Sequence, residues 1–220
     1  MKFKKLITIG IDPSITGTAV TKFNGDEFED YWFFSEVKSI CRNNKHGIYQ
    51  PKFENQIEKL IWGIEKVIEI IDKSKPDYIA IEDYAFRAQG RVFHIGGYVE
   101  GIKMEIYRRR IPLRLYDPLR VKQFVTGKGN SDKPAMALSA YKKWGIDFSD
   151  AGQYSNNIVD AYSINKLLIL ELKLKQDSKL KDKLTEVEKH IFLTKNKHDK
   201  ECLIDREFII RGGNSDCDSS

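Results

Sequence analysis

An apolar run near the start, Leu6-Ile7-Thr8-Ile9-Gly10-Ile11, ends on one acid, Asp12, breaks at Pro13 and resumes at Thr16-Gly17-Thr18-Ala19-Val20. Short β-branched runs on either side of Pro and Gly predict two strands joined by a tight turn. Asp12 closes the first of them. A carboxylate in a buried strand is costly unless a cation or a hydrogen-bond network compensates it. An Asp before Pro also caps turns on its own account. The strand pair alone leaves both roles open.

The rest of the chain narrows the class. At 220 residues it is long enough for one domain with a real core and an appendage. A net charge of +5 suits an anionic partner such as nucleic acid without requiring one. Cys41, Cys202 and Cys217 are scattered, odd in number and without metal-ligand spacing, which points to a reducing compartment. No apolar run approaches the ~20 residues needed to span a bilayer. Lys2, Lys4 and Lys5 are not followed by a signal-peptide core, since Asp12 and Pro13 interrupt the run. The expectation is a soluble cytoplasmic protein with no membrane partner.

Asn24-Gly25-Asp26 predicts a hairpin into a third strand, Glu27 to Phe34, whose aromatic end Tyr31-Trp32-Phe33-Phe34 reads as core. Residues 36–50 are polar and aperiodic, a loop. A helix is expected from Pro51, with Ile57, Leu60, Ile61, Ile64, Val67, Ile68 and Ile71 on one face. Tyr78-Ile79-Ala80-Ile81 is a short buried strand closed by Glu82 and Asp83. A helix ending at Arg108-Arg109-Arg110, a strand Ile111 to Leu115 and a helical segment after Asp117-Pro118 follow. Ser131 is expected to cap a helix over 132–144, and a last core helix begins after Ser155. Beyond Leu170, the positions Leu180, Leu184, Val187 and Ile191 form another amphipathic stripe, and Cys202 to Ile210 a short strand. The expected division is 1–170 as an α/β domain with a five-stranded mixed sheet, 171–211 as a C-terminal extension, and 212–220 as a disordered tail.

Three acids stand at special places: Asp12 and Glu82 at strand ends, and Asp160 near the start of an apolar helix beside Ala161. If the two strands are sheet neighbours, both carboxylates project from one end and the helix presents Asp160 to them. Clustered carboxylates repel unless a cation sits between them, and hard oxygen donors select Mg²⁺, with Mn²⁺ as a substitute. Two such ions about 3.5–4 Å apart are a common device for phosphodiester hydrolysis. Taken singly, the acids also read as a turn cap, a surface acid and a helix-dipole partner.

Four ordered blocks carry a resemblance: Gly10-Ile11-Asp12-Pro13-Ser14-Ile15-Thr16-Gly17, Ala80-Ile81-Glu82-Asp83-Tyr84, residues 121–133 from Val121 to Lys133, and Asn156-Asn157-Ile158-Val159-Asp160-Ala161. Together they resemble the RuvC-type Holliday junction resolvases over roughly residues 5–170. The resemblance implies a ribonuclease H-like fold, a homodimer and Mg²⁺-dependent nicking of four-way DNA junctions, without a nucleotide cofactor. By position it makes Asp12, Glu82 and Asp160 the metal-binding acids and gives Lys122 and Lys133 the family's basic roles, with Lys133 stabilising charge at the reacting phosphate. Two departures stand out. Asn157 occupies a position where many members carry a fourth acid; its amide oxygen ligates without charge. Ala85 replaces the junction-wedging aromatic, leaving Tyr84 or Phe86 to act from beside it.

Lys128, Arg87, Arg91, Arg108, Arg109, Arg110 and Arg114 are candidate phosphate contacts, each also readable as a solvated cation. Gly127-Lys128-Gly129 lacks the Ser or Thr of a Walker loop. His46, His94, His190 and His198 show no ligand spacing. Competing readings are an actin-like ATPase, which would need a second such domain that 220 residues cannot supply, a non-cleaving junction-binding module, and a broader flap or fork nuclease.

Overall fold

The computed structural model describes residues 5–83, 92–195 and 201–211. β1 (Ile7–Asp12) pairs antiparallel with β2 (Ala19–Asn24), and Gly25, at φ +62°, turns the chain into antiparallel β3 (Glu27–Ser35). A short helix α1 (Lys38–Asn43) leads to β4 (Gly47–Tyr49), which lies parallel to β3. α2 (Gln56–Ser74) then returns the chain to β5 (Tyr78–Glu82), parallel to β1, and α3 (Val92–Arg108) to β6 (Leu113–Tyr116), parallel to β5. The order β4-β3-β2-β1-β5-β6 makes a six-stranded mixed sheet, one strand more than the expected five. The extra strand comes from the stretch expected to be a loop: β4 is three residues long, too short to show alternation. α2 opens at Gln56 rather than Pro51, because the Asn55 side chain accepts from the Glu58 N–H and caps it.

Ile9, Ile11, Val20, Ile79 and Ile81 face α2 and α3, where Val67, Ile71, Tyr98 and Ile102 meet them. On the other face Ala19, Phe23, Phe33, Ala80 and Tyr116 meet α6 (Ser155–Gln176), reached through α4 (Pro118–Thr126) and α5 (Lys133–Trp144). α5 is capped by Asp132, not Ser131: the Asp132 carboxylate accepts from the Ala135 N–H at 2.9 Å. α6 seats directly on β1. A Cβ on Gly10 would come within 2.4 Å of the Ala161 carbonyl oxygen, so only glycine admits the helix there. The buried Asn165 side chain accepts from Thr8 Oγ1 at 2.6 Å and donates to the Thr8 and Thr21 carbonyls, fixing the helix lengthwise.

α6 runs on past residue 170, and the elements after it join the same core through Leu184, Ile191, Phe192, Leu203 and Ile204. The Leu180–Ile191 stripe is not one helix. A 3-10 turn (Ser178–Lys183) precedes α7 (Glu186–Leu193), which starts on a Thr185–Glu188 capping box. The expected strand after Cys202 reduces to a 3-10 turn and one antiparallel bridge, Leu113↔Ile209, on the edge of β6. Residues 212–220 lie outside the described residues. Among the described residues no helix is long and apolar enough to cross a membrane.

Candidate active site

β1 and β5 run parallel with Ile11 opposite Ile81, so Asp12 and Glu82 follow as neighbours at the carboxyl ends of adjacent strands. Side chains alternate along a strand, which places Asp12 with Gly10 and Glu82 with Ala80 on the face covered by α6. The α6 register carries the site further. Asn165 meets Thr8 and Ala161 meets Gly10, so the helix runs antiparallel to β1 and brings Asp160 and Asn157 level with Asp12. Asp83, of opposite parity, takes a different fate: Lys103 of α3 pairs with it at 2.8 Å.

The three acids feel one another. Burial pushes Asp12 well above the usual carboxylate range, the charges of Glu82 and Asp160 push it further, and Lys133 pulls it back. Burial likewise raises Glu82 to about 7, helped by Asp160 and Asp117 and opposed by Lys122 and Lys133. Asp160 rises to about 6 by burial, against the pull of Lys133 and Lys122. By accessible area Asp12, Glu82 and Asp160 are each half-buried. The donor chemistry, hard carboxylate oxygens with two lysines too few to neutralise them, fits a divalent cation. The side chains do not already converge on a single point: among the described residues no three His, Cys, Asp or Glu groups stand close enough to hold an ion.

Local hydrogen bonding delivers the lysines. α4 starts at Asp117, whose side chain accepts from the Leu119 N–H, and ends at Gly127 with φ +80°. Thr126 Oγ1 then bonds the Lys122 and Lys128 carbonyls and Ser131 Oγ, and accepts from the Lys128 N–H at 3.1 Å, folding residues 126–131 into a tight corner. That corner sets Lys133 as the first residue of α5. A cation at a helix N-terminus opposes the macrodipole; the attraction between Lys133 and the three acids offsets that cost. Lys128 is exposed at the corner.

Asn157 does more than replace an acid. Its Nδ2 donates to the Gly17 carbonyl at 2.7 Å and so pins the turn after Asp12, leaving Oδ1 on the other side of the amide. Thr18 Oγ1 closes the same turn on Ser14 and meets Tyr98 Oη at 2.8 Å. Nothing in the sequence signals Asn157 as a turn clamp or Asp117 as a further negative neighbour of Glu82; both depend on which loops meet.

Other candidates go elsewhere. Arg114 is 5 % exposed and pairs with the fully buried Glu171, so it is no phosphate contact. Arg109 is held by Asp72 and Glu105, and Arg108 by Glu105, at the end of α3 that leads into the start of β6, opposite the acids. His46 stacks on Tyr31 and meets Asp30, a packing role. Tyr84, Phe86, Arg87 and Arg91 lie outside the described residues.

A family model described as crossover junction endodeoxyribonuclease RuvC matches residues 8–140, a span that holds Asp12, Glu82, Lys122 and Lys133 but stops short of Asp160. The crossover junction endodeoxyribonuclease RuvC of Desulforamulus reducens is 30% identical over 131 residues, 58% of this chain and 73% of that protein. The protein of the same name from Bacteroides fragilis is 34% identical over 140 residues, 61% of this chain and 66% of its own. Among solved structures, Thermus thermophilus RuvC in complex with Holliday junction substrate is similar at a TM-score of 0.54 and 20% identity, over 73% of this chain and 90% of that one. A second Thermus thermophilus RuvC structure gives 0.54 at 19% identity over 78% and 96%. These two structures establish the ribonuclease H-like α/β fold, and the family match over more than half the sequence places the chain within it: the chain belongs to the RuvC family of crossover junction endodeoxyribonucleases.

Proposed function

We propose that the protein is a divalent-metal-dependent DNA endonuclease that resolves Holliday junctions by paired phosphodiester hydrolysis. The observation that carries the reading is the gathering of Asp12, Glu82 and Asp160 on one face at one end of the sheet, each raised by burial and Asp12 and Glu82 also by the other acids. Asp12, Glu82 and Asp160 would hold Mg²⁺ or Mn²⁺, two ions per site, with Asn157 Oδ1 as a neutral donor. Bound there, such ions lower the pKa of the attacking water and stabilise the leaving oxygen.

The remaining work falls to the chain. Lys133 and Lys122 face the acids and lie where added negative charge on a phosphate would meet them, which stabilises the transition state more than the ground state. Lys128, on the exposed corner beside them, takes a neighbouring phosphate. Tyr84, Phe86, Arg87 and Arg91 follow Glu82 directly and are assigned to the branch point. The nuclease unit is assigned to 1–170, with 171–211 as an extension packed upon it.

A four-way junction has two strands of like polarity to cut, so a two-fold pair of sites matches it, and a homodimer is assigned on that ground. Met104 and Tyr107, 54% and 43% exposed on α3, are large apolar side chains left to solvent in the monomer. The test is a cleavage panel of four-way, three-way and flap substrates with Mg²⁺ or Mn²⁺, run beside sedimentation. Paired nicks confined to the four-way junction by a dimeric species are expected. Equal cutting of flaps, or junction cutting by a monomer, would overturn the assignment.

A further inference from the structure

The turn that follows Asp12 is held from both faces of the sheet. On the α6 side Asn157 donates to the Gly17 carbonyl. On the opposite side stands Tyr98 of α3, 1 % exposed. Its hydroxyl meets Thr18 Oγ1 at 2.8 Å. Thr18 Oγ1 in turn donates to the Ser14 carbonyl at 2.6 Å and accepts from the Ser14 N–H at 3.2 Å. Proton counting fixes the direction of the chain. A carbonyl has no proton to give, so the one hydroxyl hydrogen of Thr18 goes to Ser14 and its oxygen is left as an acceptor. Tyr98 is therefore the donor. Burial pushes its hydroxyl well above the ordinary tyrosine range, so it stays a donor at any working pH. The Ser14 carbonyl also takes the Gly17 N–H, at 3.2 Å, which makes it the fixed point of the turn.

Pro13 carries that fixed point back to Asp12. The pyrrolidine ring locks the φ of Pro13, and a residue before proline is confined to extended backbone. Asp12 is that residue and the last of β1. Few free torsions then separate the Asp12 carboxylate from the Ser14 carbonyl. The Tyr98 ring itself is core, packed among the apolar residues of α2, α3 and β1, with Gly63 making room for it: a Cβ there would stand 2.8 Å from Tyr98 Cε2. Phenylalanine would fill that space as well. What the tyrosine adds is the hydroxyl, and the hydroxyl goes to the turn.

We propose that Tyr98 is a positioning residue for the acid site: through Thr18 and Ser14 it fixes the turn that keeps the Asp12 carboxylate placed for a divalent cation. This role rests on the metal-dependent nuclease reading and extends the site to the face of the sheet away from α6. Tyr98 touches neither cation nor DNA in this arrangement. It acts as outer groups behind metal ligands do, by restricting the ligand before the ion arrives.

The test uses the full chain. Tyr98→Phe removes one oxygen and keeps the ring. Mn²⁺ is titrated into the protein without DNA, free Mn²⁺ is read by electron paramagnetic resonance, and only binding that Asp12→Asn abolishes is counted. Tyr98→Phe should bind Mn²⁺ about tenfold more weakly than wild type. Single-turnover cleavage of a four-way junction at subsaturating Mn²⁺ should fall by a similar factor and recover at high Mn²⁺, with junction affinity in EDTA within about twofold of wild type. Thr18→Val breaks the chain at its middle and should reproduce both changes, and Thr18→Ser, which keeps the hydroxyl, should recover most of the loss. Thr18→Val decides if Tyr98→Phe fails to fold. The double variant should bind Mn²⁺ no more weakly than Thr18→Val alone, because both substitutions act through one oxygen. Unchanged Mn²⁺ binding in folded Tyr98→Phe or Thr18→Val, with only the melting temperature lowered, makes Tyr98 a core residue and overturns the positioning role alone. A wild type that shows no Mn²⁺ binding dependent on Asp12 overturns the metal reading itself, and the role of Tyr98 falls with it.

Discussion

Asp12, Glu82 and Asp160 keep their protons to higher pH than ordinary carboxyls, and the sign of the consequence follows. A carboxyl whose folded pKa exceeds its unfolded value of about 4 weakens the fold once it must ionise in place. The penalty is absent near pH 4 and grows as pH rises through about 6 for Asp160 and about 7 for Glu82. In EDTA the melting temperature contributed by this site should therefore fall between pH 4 and 7. Asp160→Asn, which keeps shape and removes charge, should melt higher than wild type at pH 8 and equal to it near pH 4, while cleavage drops by orders of magnitude. A lower melting temperature for Asp160→Asn at pH 8 would show the carboxylate to be structural. Lys133 acts with the opposite sign on the same groups. Lys133→Ala should slow single-turnover cleavage by roughly 100-fold, with a much smaller change in junction affinity, and shift the acid limb of the pH–rate profile to higher pH, since the cation that lowers all three acids is gone. Loss of affinity in proportion to rate would make Lys133 a binding residue.

At the scale of elements, the site depends on how closely α6 lies on β1. Gly10→Ala places a methyl 2.4 Å from the Ala161 carbonyl and 2.7 Å from Asn165 Cβ, both on the helix that carries Asp160. Neither atom is the end of a flexible chain, so the helix must lift, at a cost of about 1–3 kcal/mol. The lift moves Asp160 from Asp12, and cleavage by the folded protein should fall at least tenfold, measured below the melting transition seen by circular dichroism. Unchanged activity would mean that the contact is slack. This dependence also explains what was legible beforehand. β1, β2, β5 and α2 announce themselves by β-branched runs or by 3.6-residue periodicity, and Asp12 and Glu82 by closing apolar strands. β4 is too short for alternation. The α6 register is set by Gly10, Thr8 and Asn165, whose meanings appear only when strand and helix meet. Arg114 reads as a surface cation because its partner lies 57 positions away.

Across the whole molecule, that ion pair ties the C-terminal segment to the nuclease sheet. Arg114 of β6 and Glu171 of α6 are both buried; Tyr116 Oη donates to Glu171 at 2.7 Å, and the guanidinium also donates to the Arg206 and Glu207 carbonyls. Phe208 lies over the guanidinium at 4.3 Å, and the Leu113↔Ile209 bridge covers part of the β6 edge, which would otherwise offer unpaired backbone groups. Arg114→Ala leaves a carboxylate buried without its cation and takes a donor from the Glu207 carbonyl, while Lys175 still donates to the Arg206 carbonyl; the lost pair costs about 3–5 kcal/mol. The C-terminal segment should loosen first, seen as faster amide exchange at Leu113 and Ile209. Arg114 stands opposite Ala80, one pleat before Glu82, and its partners are Glu171 and two carbonyls rather than the acids, so junction cleavage at low temperature should stay near wild type. Because Arg114 touches no phosphate in this arrangement, the salt dependence of junction binding should keep its slope. A slope reduced by about one, with stability unchanged, would return Arg114 to the DNA-binding surface and break the link between the extension and the sheet.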